Sequence, residues 1–515
     1  MLKKNLKSII SILGVVLIGQ SCTDHFEELN MSPTQVNVIN PGYLFGETQR
    51  QKHLNYNYEW TQARLFGGWV QHWANVSMDN GRPNFYEPDR RIEDELWQHI
   101  YYNVTRRLDR AEHELLRISD GDPDDPQVRT RLAITKIYEA MIFERVTTFW
   151  GDVPVSEGGK GMHGVSFPKY DPQSQIYPAL VEQLETNIAK LNQGDFSYGQ
   201  FDHFYGGNSE DWRRFGNSIL LRTGMRMRNA DPSAAQAVVT RAMQSPLMST
   251  QGHSALLRTV AGNNHNSVAH PVLKEMRAPA IKSRPGRHLV DMLIQKDDPR
   301  LTYIVEPTGQ SKQVFAETGD VNDLEYRGIP PNMTPAMYDA MNLARKSEVA
   351  QHIWNNEDLA VPFHVFTFAE VLFLQAEAAL YGWGASEADA QVFYEAGIRA
   401  AMQMIPYNIP ENAINAYLAA HGTLSGNQAE KLEMIMEQKY VLLWTNAYEA
   451  YVEWRRTGYP VLDPGTRTDN TTNGVIPRRA YYSLAEMSLN SANFNEAISR
   501  QGPDHPLTRM WIDPE

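Results

Sequence analysis

The sequence predicts a mainly α-helical protein in which tetratricopeptide-like helical hairpins support a less regular, loop-rich half. From Asp94 to Gln244, apolar residues recur at steps of three and four, which is the helical period. The predicted helices follow one another at about 35 to 45 residues per pair, a spacing typical of tetratricopeptide-like hairpins. The period is lost over residues 245–363, which are rich in Asn, Pro and Gly, and helices resume over residues 364–457.

Residues 1–21 have the layout of a signal peptide for export. A lysine-containing start precedes an almost uninterrupted apolar run from Ser8 to Gly19, and the small residue Ser21 follows it. This run of about a dozen residues is too short to span a bilayer as a helix, which needs roughly 20. The segment resembles a bacterial lipoprotein signal, which predicts that Cys22, the one cysteine of the chain, is lipidated. The alternative is an ordinary signal peptide that is cut near Ser21.

Residues 22–40 are polar and acidic and show no period, so we expect them to form a lipidated tether. One large helical domain then covers residues 41–515. Within that domain we place the helical scaffold at about residues 94–244 and 364–457, and a loop-rich insert at about 245–363. Loops of this length are uncommon in a compact domain unless they are functional.

Two long helices open the scaffold. The stretches from Asp94 to Ile118 and from Gln127 to Trp150 each carry one apolar face. Gly151 and Pro154 end the second helix, since glycine suits the C-terminal cap and proline cannot continue a helix.

Capping residues mark the next three helices. Asp or Asn before the first turn accepts hydrogen bonds from free backbone N–H groups, and proline fits the first helical position. The predicted starts are Asp171-Pro172, Asn208 or Ser209, and Asp231-Pro232.

The second half predicts fewer but clear helices. One of these helices is predicted by a strongly apolar run. Another is predicted by a capping-box pattern, in which Asp follows Ser by three residues. The predicted helices are Gly286 to Gln295 within the insert, Phe366 to Tyr381, one that starts at Ser386 with Asp389 and runs to Met404, and a single long helix from Glu430 to Thr457.

The composition argues against several functions. The formal net charge is −13 and becomes −16 when the three signal lysines are removed, whereas nucleic-acid binding needs a basic face. The sequence has no HExxH, GxSxG, Walker or GxGxxG motif, so it indicates no catalytic residue, no metal ligands and no cofactor. Carboxylate pairs occur in any acidic chain, so a glycosidase stays open, although the helical fold disfavours it.

The stretch from Gly67 to Tyr86 is the first candidate for ligand binding. Trp69 and Trp73 are four residues apart, so on a helix they would share a face. Asp79 and Asn80 then begin a loop that leads to Tyr86. Flat aromatic rings can stack on a sugar, and amide or carboxylate groups can bind its hydroxyls. The alternative is that both tryptophans belong to the core.

Two polar stretches of the insert are further candidates. Asn264, His265 and Asn266 lie in the run GNNHNS, where four amide or imidazole side chains follow one another. Trp354 precedes two asparagines and a glutamate, which repeats the combination of a ring and amides. A solvated loop is the alternative for the first of these stretches.

Several motifs together resemble the SusD/RagB family of nutrient-binding outer-membrane lipoproteins. They follow the family's order over nearly the whole chain, and they are specific as a set. The motifs are FEELNMSP (Phe26 to Pro33), FWGDVP (Phe149 to Pro154), Tyr170 to Leu191, Asn208 to Arg228, DPRL (Asp298 to Leu301), FAEVLFLQAEAAL (Phe368 to Leu380), YEAYVEWRRTGYP (Tyr448 to Pro460) and GVIPRR (Gly474 to Arg479).

The resemblance implies a function that the residues alone do not. Members of the family are helical, are anchored by lipid on the cell surface, and carry a loop-rich ligand-binding half. They cap a SusC-like TonB-dependent transporter and pass it an oligosaccharide, or a peptide in some branches. The resemblance therefore implies a non-catalytic binder of oligosaccharide, with a peptide-binding uptake partner as the alternative. The family's ligand residues vary, so no binding residue follows from the motifs.

Overall fold

The computed structural model describes residues 38–54, 65–75, 86–259, 270, 283–333, 336–337, 340–354, 361–465 and 467–513. The chain divides into a short unit, Met1–Asn40, and a large one, Pro41–Glu515. The large unit is mainly α-helical, which confirms the predicted fold class.

The first half of the large unit runs as successive helices up to residue 243. A π-helical segment, His99–Thr105, joins two of them and is called the π segment below. The helices are α1 (Pro41–Leu54), α2 (Gly67–Trp69), α3 (Arg90–Gln98), α4 (Arg106–Ile118), α5 (Arg129–Trp150), α6 (Gln173–Lys190), α7 (Ser209–Met227) and α8 (Pro232–Met243).

The second half begins with short helices and continues with longer ones. The helices are α9 (Arg287–Gln295), α10 (Leu301–Ile304), α11 (Gly309–Thr318), α12 (Gln351–Trp354), α13 (Phe368–Leu380), α14 (Glu387–Met402), α15 (Glu411–His421), α16 (Gln428–Leu442), α17 (Ala447–Thr457), α18 (Leu484–Leu489) and α19 (Ser491–Gln501). Helices α5 and α6, α7 and α8, and α13 and α14 pack in pairs as hairpins.

Most of the predicted caps form as expected. The side chain of Asn208 accepts from the backbone N–H groups of Glu210 and Asp211. Asp231 does the same for Ala234 at 3.0 Å. A capping box joins Ser386 and Asp389 at the start of α14. These contacts are local, so residue type and spacing are enough to predict them.

The predicted cap at Asp171 is wrong. Helix α6 begins at Gln173, and the N–H of Gln173 donates to Asp152 Oδ1 at 2.7 Å. The Asp171 carboxylate instead accepts from the N–H groups of Val155 and Ser156, at 2.8 and 2.7 Å. Asp152, from the FWGDVP turn, therefore caps α6 in place of Asp171, and Asp171 binds the backbone after that turn.

The predicted single helix from Glu430 to Thr457 is also wrong, because α16 ends at Leu442 and α17 begins at Ala447. The carbonyl of Trp444 accepts from the indole N–H of Trp73 at 3.1 Å. This carbonyl therefore accepts a hydrogen bond from outside the helix. In a continuous helix it would accept one from the backbone N–H four residues later. Packing against a distant tryptophan thus accompanies the break.

Two short antiparallel ribbons tie distant parts of the chain together. Strand β1 (Trp73–Asn75) pairs with β3 (Ser283–Pro285), and β2 (Ala255–Leu257) pairs with β4 (Phe363–Phe366). The second ribbon pairs a strand near the start of the insert, β2, with a strand at its end, β4. The ribbons therefore fix where the loop-rich stretches begin and end.

A buried network of charges joins α5, α7 and α17. Glu144 contacts Arg222 at 2.6 Å and Arg226 at 3.0 Å, while Glu449 contacts Arg145 at 2.9 Å and also Arg226. All five side chains are at most 2% exposed. Buried charges persist only when they are paired, so this network constrains how the three helices meet.

Candidate functional site

The two ribbons join described residues that flank the candidate stretches in the sequence. In the first ribbon Asn75, the last described residue before Tyr86, pairs with Ser283, the first described residue after His270. In the second ribbon Leu257 faces Phe363. Just beyond it, the Thr259 hydroxyl donates to the carbonyl of Val361 at 2.6 Å. Thr259 precedes the GNNHNS run in the sequence, and Val361 follows the stretch that begins at Trp354.

A cluster of four aromatic side chains, Trp73, His270, Trp354 and Trp444, connects these points. The ring of Trp444 lies 5.5 Å from Trp73 and 4.9 Å from Trp354, measured between ring centroids. The His270 ring lies 5.2 Å from that of Trp354. Trp73 and Trp354 belong to two of the candidate stretches, and His270 follows the GNNHNS run in the sequence.

The hydrogen bonds of the three indoles hold the aromatic cluster in place. Trp73 donates to the Trp444 carbonyl, Trp444 to the Tyr407 hydroxyl at 2.9 Å, and Trp354 to the Tyr303 carbonyl at 2.9 Å. Buried tryptophans normally satisfy the indole N–H in this way. These rings therefore form a fixed support.

The structure corrects the expectation that Trp69 and Trp73 share a helix face and stack on a ligand. Helix α2 ends at Trp69, the chain turns at Gln71 with φ 62°, and Trp73 lies in β1. Trp69 is 0% exposed and packs against Phe66 and Tyr451. Trp69 is therefore a core residue, as the alternative interpretation of the sequence expects. Trp73 belongs to the buried aromatic cluster.

Tyr86 and Trp354 are also buried, so neither presents a free ring face. The Tyr86 hydroxyl accepts from the Gln71 amide at 2.8 Å and donates to the Asp463 carbonyl at 2.9 Å. Burial raises the pKa of Tyr86 well above its usual value, which keeps the hydroxyl protonated as a donor. The physical reason for both corrections is that long-range packing covers these rings.

Asp79, Asn80, Asn264, His265 and Asn266 lie outside the described residues and stay predictions. In the sequence, Trp73 precedes the first two of these residues and His270 follows the other three, and both rings belong to the aromatic cluster. Two members of the cluster, His270 and Trp444, were not among the sequence-predicted residues. No local pattern marks either of them, since each joins the cluster through contacts with distant parts of the chain.

Three histidines near the ribbons, His72, His288 and His364, are neutral at physiological pH. Burial lowers the pKa of His72 to about 3, although the carbonyl of Tyr440 opposes that shift. Burial likewise lowers the pKa of His288 and of His364, each to about 4. Neutral imidazoles suit hydrogen bonding to uncharged ligands better than charge pairing.

No group of three or more His, Cys, Asp or Glu side chains could hold a metal ion within the part of the chain that the structure describes. In that same part, no helix is long and apolar enough to cross a membrane.

The architecture defines a class of mainly α-helical protein that is built on paired helical hairpins. The family model described as "Starch-binding associating with outer membrane" matches residues 33–483, and the chain belongs to this SusD-like family. The resemblance found in the sequence is thus confirmed. The family is associated with the outer membrane and with carbohydrate binding.

Solved structures share the fold over almost the whole chain. A chitin-binding protein is 26% identical with a TM-score of 0.77, and the match covers 92% of this chain and 100% of that one. A SusD-like protein named Bacteroidetes AC2a is 22% identical with a TM-score of 0.78, covering 93% and 100%. A chitin-binding SusD homologue from Flavobacterium johnsoniae is 21% identical with a TM-score of 0.75, covering 92% and 98%. No curated protein matches the sequence.

Proposed function

We propose that this protein is a non-catalytic surface lipoprotein that captures an oligosaccharide and delivers it to a SusC-like TonB-dependent transporter. Lipid on Cys22 would hold it to the outer membrane, and residues 22–40 would act as the tether. Capture needs hydrogen bonds and apolar contacts but no covalent step and no cofactor.

One observation supports the proposal: Trp73 precedes Asp79 and Asn80 in the sequence, His270 follows Asn264 to Asn266, and both rings belong to the aromatic cluster. Asp79 and Asn80 follow β1, and Asn264 to Asn266 follow β2. Carbohydrate sites combine an apolar surface with a few planar hydrogen-bonding groups, and ligand sites are often built on loops carried by a rigid scaffold. The ribbons and the buried tryptophans supply that scaffold.

Chitin oligosaccharides are the first ligands to test. The solved structure at 26% identity is named a chitin-binding protein, while the family description names starch. The acetamido group of a chitin sugar both donates and accepts a hydrogen bond, so it matches an asparagine amide, which also does both. Malto-oligosaccharides have hydroxyls only and test the starch alternative.

Calorimetry of the soluble protein with chitin and malto-oligosaccharides tests the proposal. We expect chitin oligosaccharides to bind, and the double variants Asp79→Ala/Asn80→Ala and Asn264→Ala/Asn266→Ala each to weaken binding about tenfold. The loss of two neutral hydrogen bonds corresponds to roughly 1–3 kcal/mol, and 1.4 kcal/mol is about tenfold.

The matched control is Gln193→Ala, which removes an exposed amide from the loop after α6 and should leave the affinity unchanged. If neither double variant changes the affinity, the proposed site is wrong. Binding of peptides in place of glycans would favour the peptide-binding alternative. Hydrolysis of a labelled oligosaccharide by the pure protein would show a glycosidase instead.

A further inference from the structure

A cleft of about 240 Å³ lies beside the π segment, away from the two ribbons. Its walls come from the end of α3, the π segment, the loop that follows Pro154 and the start of α18. The volume is below the roughly 300 Å³ at which drug-sized ligand sites begin, so the cleft suits one or two sugar rings. None of the residues predicted from the sequence lines it.

The π segment itself is the first sign of a site. Runs of π-helix are rare, and they occur frequently at functional sites. The Tyr101 hydroxyl is engaged, since it donates to the Pro154 carbonyl at 2.9 Å. Tyr102, the next residue, also lines the cleft and is 57% exposed. The cleft therefore has an aromatic ring that a ligand can reach, whereas the rings of the aromatic cluster are buried.

Two glycines bring the loop into direct contact with the π segment. A Cβ on Gly158 would lie 2.3 Å from the Pro154 carbonyl oxygen, and one on Gly159 would lie 2.7 Å from Thr105 Oγ1 and 3.0 Å from the backbone nitrogen of Arg106. Gly159 also has φ +78°, which favours glycine. This close approach sets Lys160 next to Arg106 in the wall of the cleft.

Arg106 and Lys160 have no ion-pair partner among the residues that the structure describes. The acidic side chains of the cleft are already engaged. Glu157 accepts from the N–H of Lys169 at 2.9 Å, and Glu486 accepts from the Tyr170 hydroxyl at 2.8 Å and from an amide at 2.9 Å. Both carboxylates keep their negative charge, but they are directed at protein donors, so the two cations that line the cleft without a described acidic partner can pair with an anion.

A polar side chain completes the set. The Gln98 amide nitrogen donates to Asp94 Oδ2 at 2.6 Å, and no described residue donates to its carbonyl oxygen. The cleft therefore offers a pair of cations, an exposed ring and a hydrogen-bond acceptor. A carboxylate pairs well with guanidinium and ammonium groups, a sugar ring stacks on tyrosine, and a sugar hydroxyl donates to an amide oxygen.

We propose that this cleft is a second carbohydrate site, one that binds an acidic sugar. The sugar carboxylate pairs with Arg106 and Lys160, its ring lies on Tyr102, and a hydroxyl donates to Gln98. Binding here shares no residue with the loops at the ribbons, so it does not depend on the function proposed above.

The test is calorimetry of the soluble protein with a tetramer of galacturonic acid and with the matched neutral galactose tetramer. We expect the acidic tetramer to bind at least tenfold more tightly than the neutral one, and its affinity to fall as salt is raised from 20 to 300 mM. The double variant Arg106→Gln/Lys160→Gln should abolish that preference, and Tyr102→Ala should weaken both ligands severalfold.

The control is Lys190→Gln/Lys431→Gln, which removes two positive charges at exposed ion pairs elsewhere and should keep the preference. Failure of the acidic tetramer to bind, equal binding of the two tetramers, or an unchanged affinity in Arg106→Gln/Lys160→Gln would overturn the proposal. Equal binding of an acidic tetrapeptide would overturn the assignment to sugars. The Asp79→Ala/Asn80→Ala variant should retain acidic-sugar binding, which separates this result from the test of the proposed function.

Discussion

Glu449 is the single residue on which the buried charge network depends most. Burial opposes its ionisation, but Arg222, Arg226 and Arg145 hold the pKa of its carboxyl well below the usual range. The Glu449→Ala substitution leaves three buried guanidiniums, those of Arg145, Arg222 and Arg226, without the carboxylate that they share. We therefore expect the free energy of unfolding to fall by about 3–5 kcal/mol, the cost of breaking a buried pair, measured by urea denaturation.

The exposed pair of Glu325 and Arg327 is the control for this prediction. Their side chains are 55% and 52% exposed, at a distance of 2.9 Å. Solvent screens such pairs, so Glu325→Ala should cost less than about 1 kcal/mol. A similar loss in both variants would show that the buried network has no special role in stability.

Glu370 predicts a pH dependence of opposite sign. Burial raises the pKa of its carboxyl to about 7, although Lys439 and Arg222 act to lower it. The unfolded chain has the usual value near 4.5, so the folded protein binds more protons between these two values. Stability contributed by this group is therefore present below about pH 4.5 and is lost as the pH rises towards 7.

The Glu370→Gln variant removes that titration while keeping a side chain of similar shape. Relative to wild type, it should gain up to about 3 kcal/mol in unfolding free energy between pH 5 and pH 8. Urea denaturation of both proteins at pH 5, 6, 7 and 8 measures the difference. Parallel pH curves for the two proteins would contradict the prediction.

At the scale of elements, the turn after α5 depends on one glycine. Gly151 has φ +85°, and a Cβ there would lie 1.8 Å from Gln501 Oε1. Gln501 cannot easily move, because it accepts from the Asp152 N–H at 2.8 Å and donates to the Trp150 carbonyl at 3.0 Å. Backbone strain and overpacking together should make Gly151→Ala lose about 2–4 kcal/mol in thermal or urea unfolding.

Gly121→Ala is the matched control, since Gly121 has φ +90° but no atom within 4 Å of the added Cβ. It should lose only the strain component, about 1–2 kcal/mol. The difference between the two variants measures the crowding at Gly151. Equal losses would mean that Gln501 rearranges without cost.

The elements that the sequence predicts well are those whose signals are local. Asp231 and Ser386 cap their helices as expected, because a cap needs only neighbouring backbone groups. Asp171 has the same local signal, yet Asp152 takes its place through a turn that folds back on it. The break after Leu442 likewise accompanies a contact of Trp444 with a residue 371 positions earlier, which no helical period reveals.

For the candidate site, too, features that depend on residue type could be predicted from the sequence, whereas features that depend on long-range contacts could not. Residue type alone singled out the polar stretches near Asp79 and Asn264, and the ribbons show that their described ends adjoin one aromatic cluster. Whether a tryptophan is exposed depends on which distant side chains cover it, so the roles of Trp69 and Trp73 could not be assigned from spacing. The cleft at Tyr102 was missed because its wall depends on the close approach of Gly159.

At the scale of the whole molecule, the insert and the scaffold share one hydrophobic core. Buried residues of the insert, among them Leu289 and Ile304, belong to the same cluster as the scaffold helices. Arg300 of the DPRL motif is 1% exposed, pairs with Asp298, and donates to Gln438 of α16 at 2.8 Å. The insert is therefore joined to the scaffold by packing and by a buried polar contact, as well as by the β2–β4 ribbon.

This joint core predicts that damage inside the insert lowers the stability of the entire domain. Arg300→Ala leaves Asp298 buried without its cation, so the urea midpoint should fall in far-UV circular dichroism, which reports mainly the scaffold helices. The expected loss is about 3–5 kcal/mol. Arg345→Ala is the control, because Arg345 is an exposed residue of the same insert that donates to Gln310 at 2.8 Å. An Arg300→Ala protein whose insert becomes sensitive to protease while the far-UV midpoint stays at the wild-type value would show instead that the insert unfolds alone.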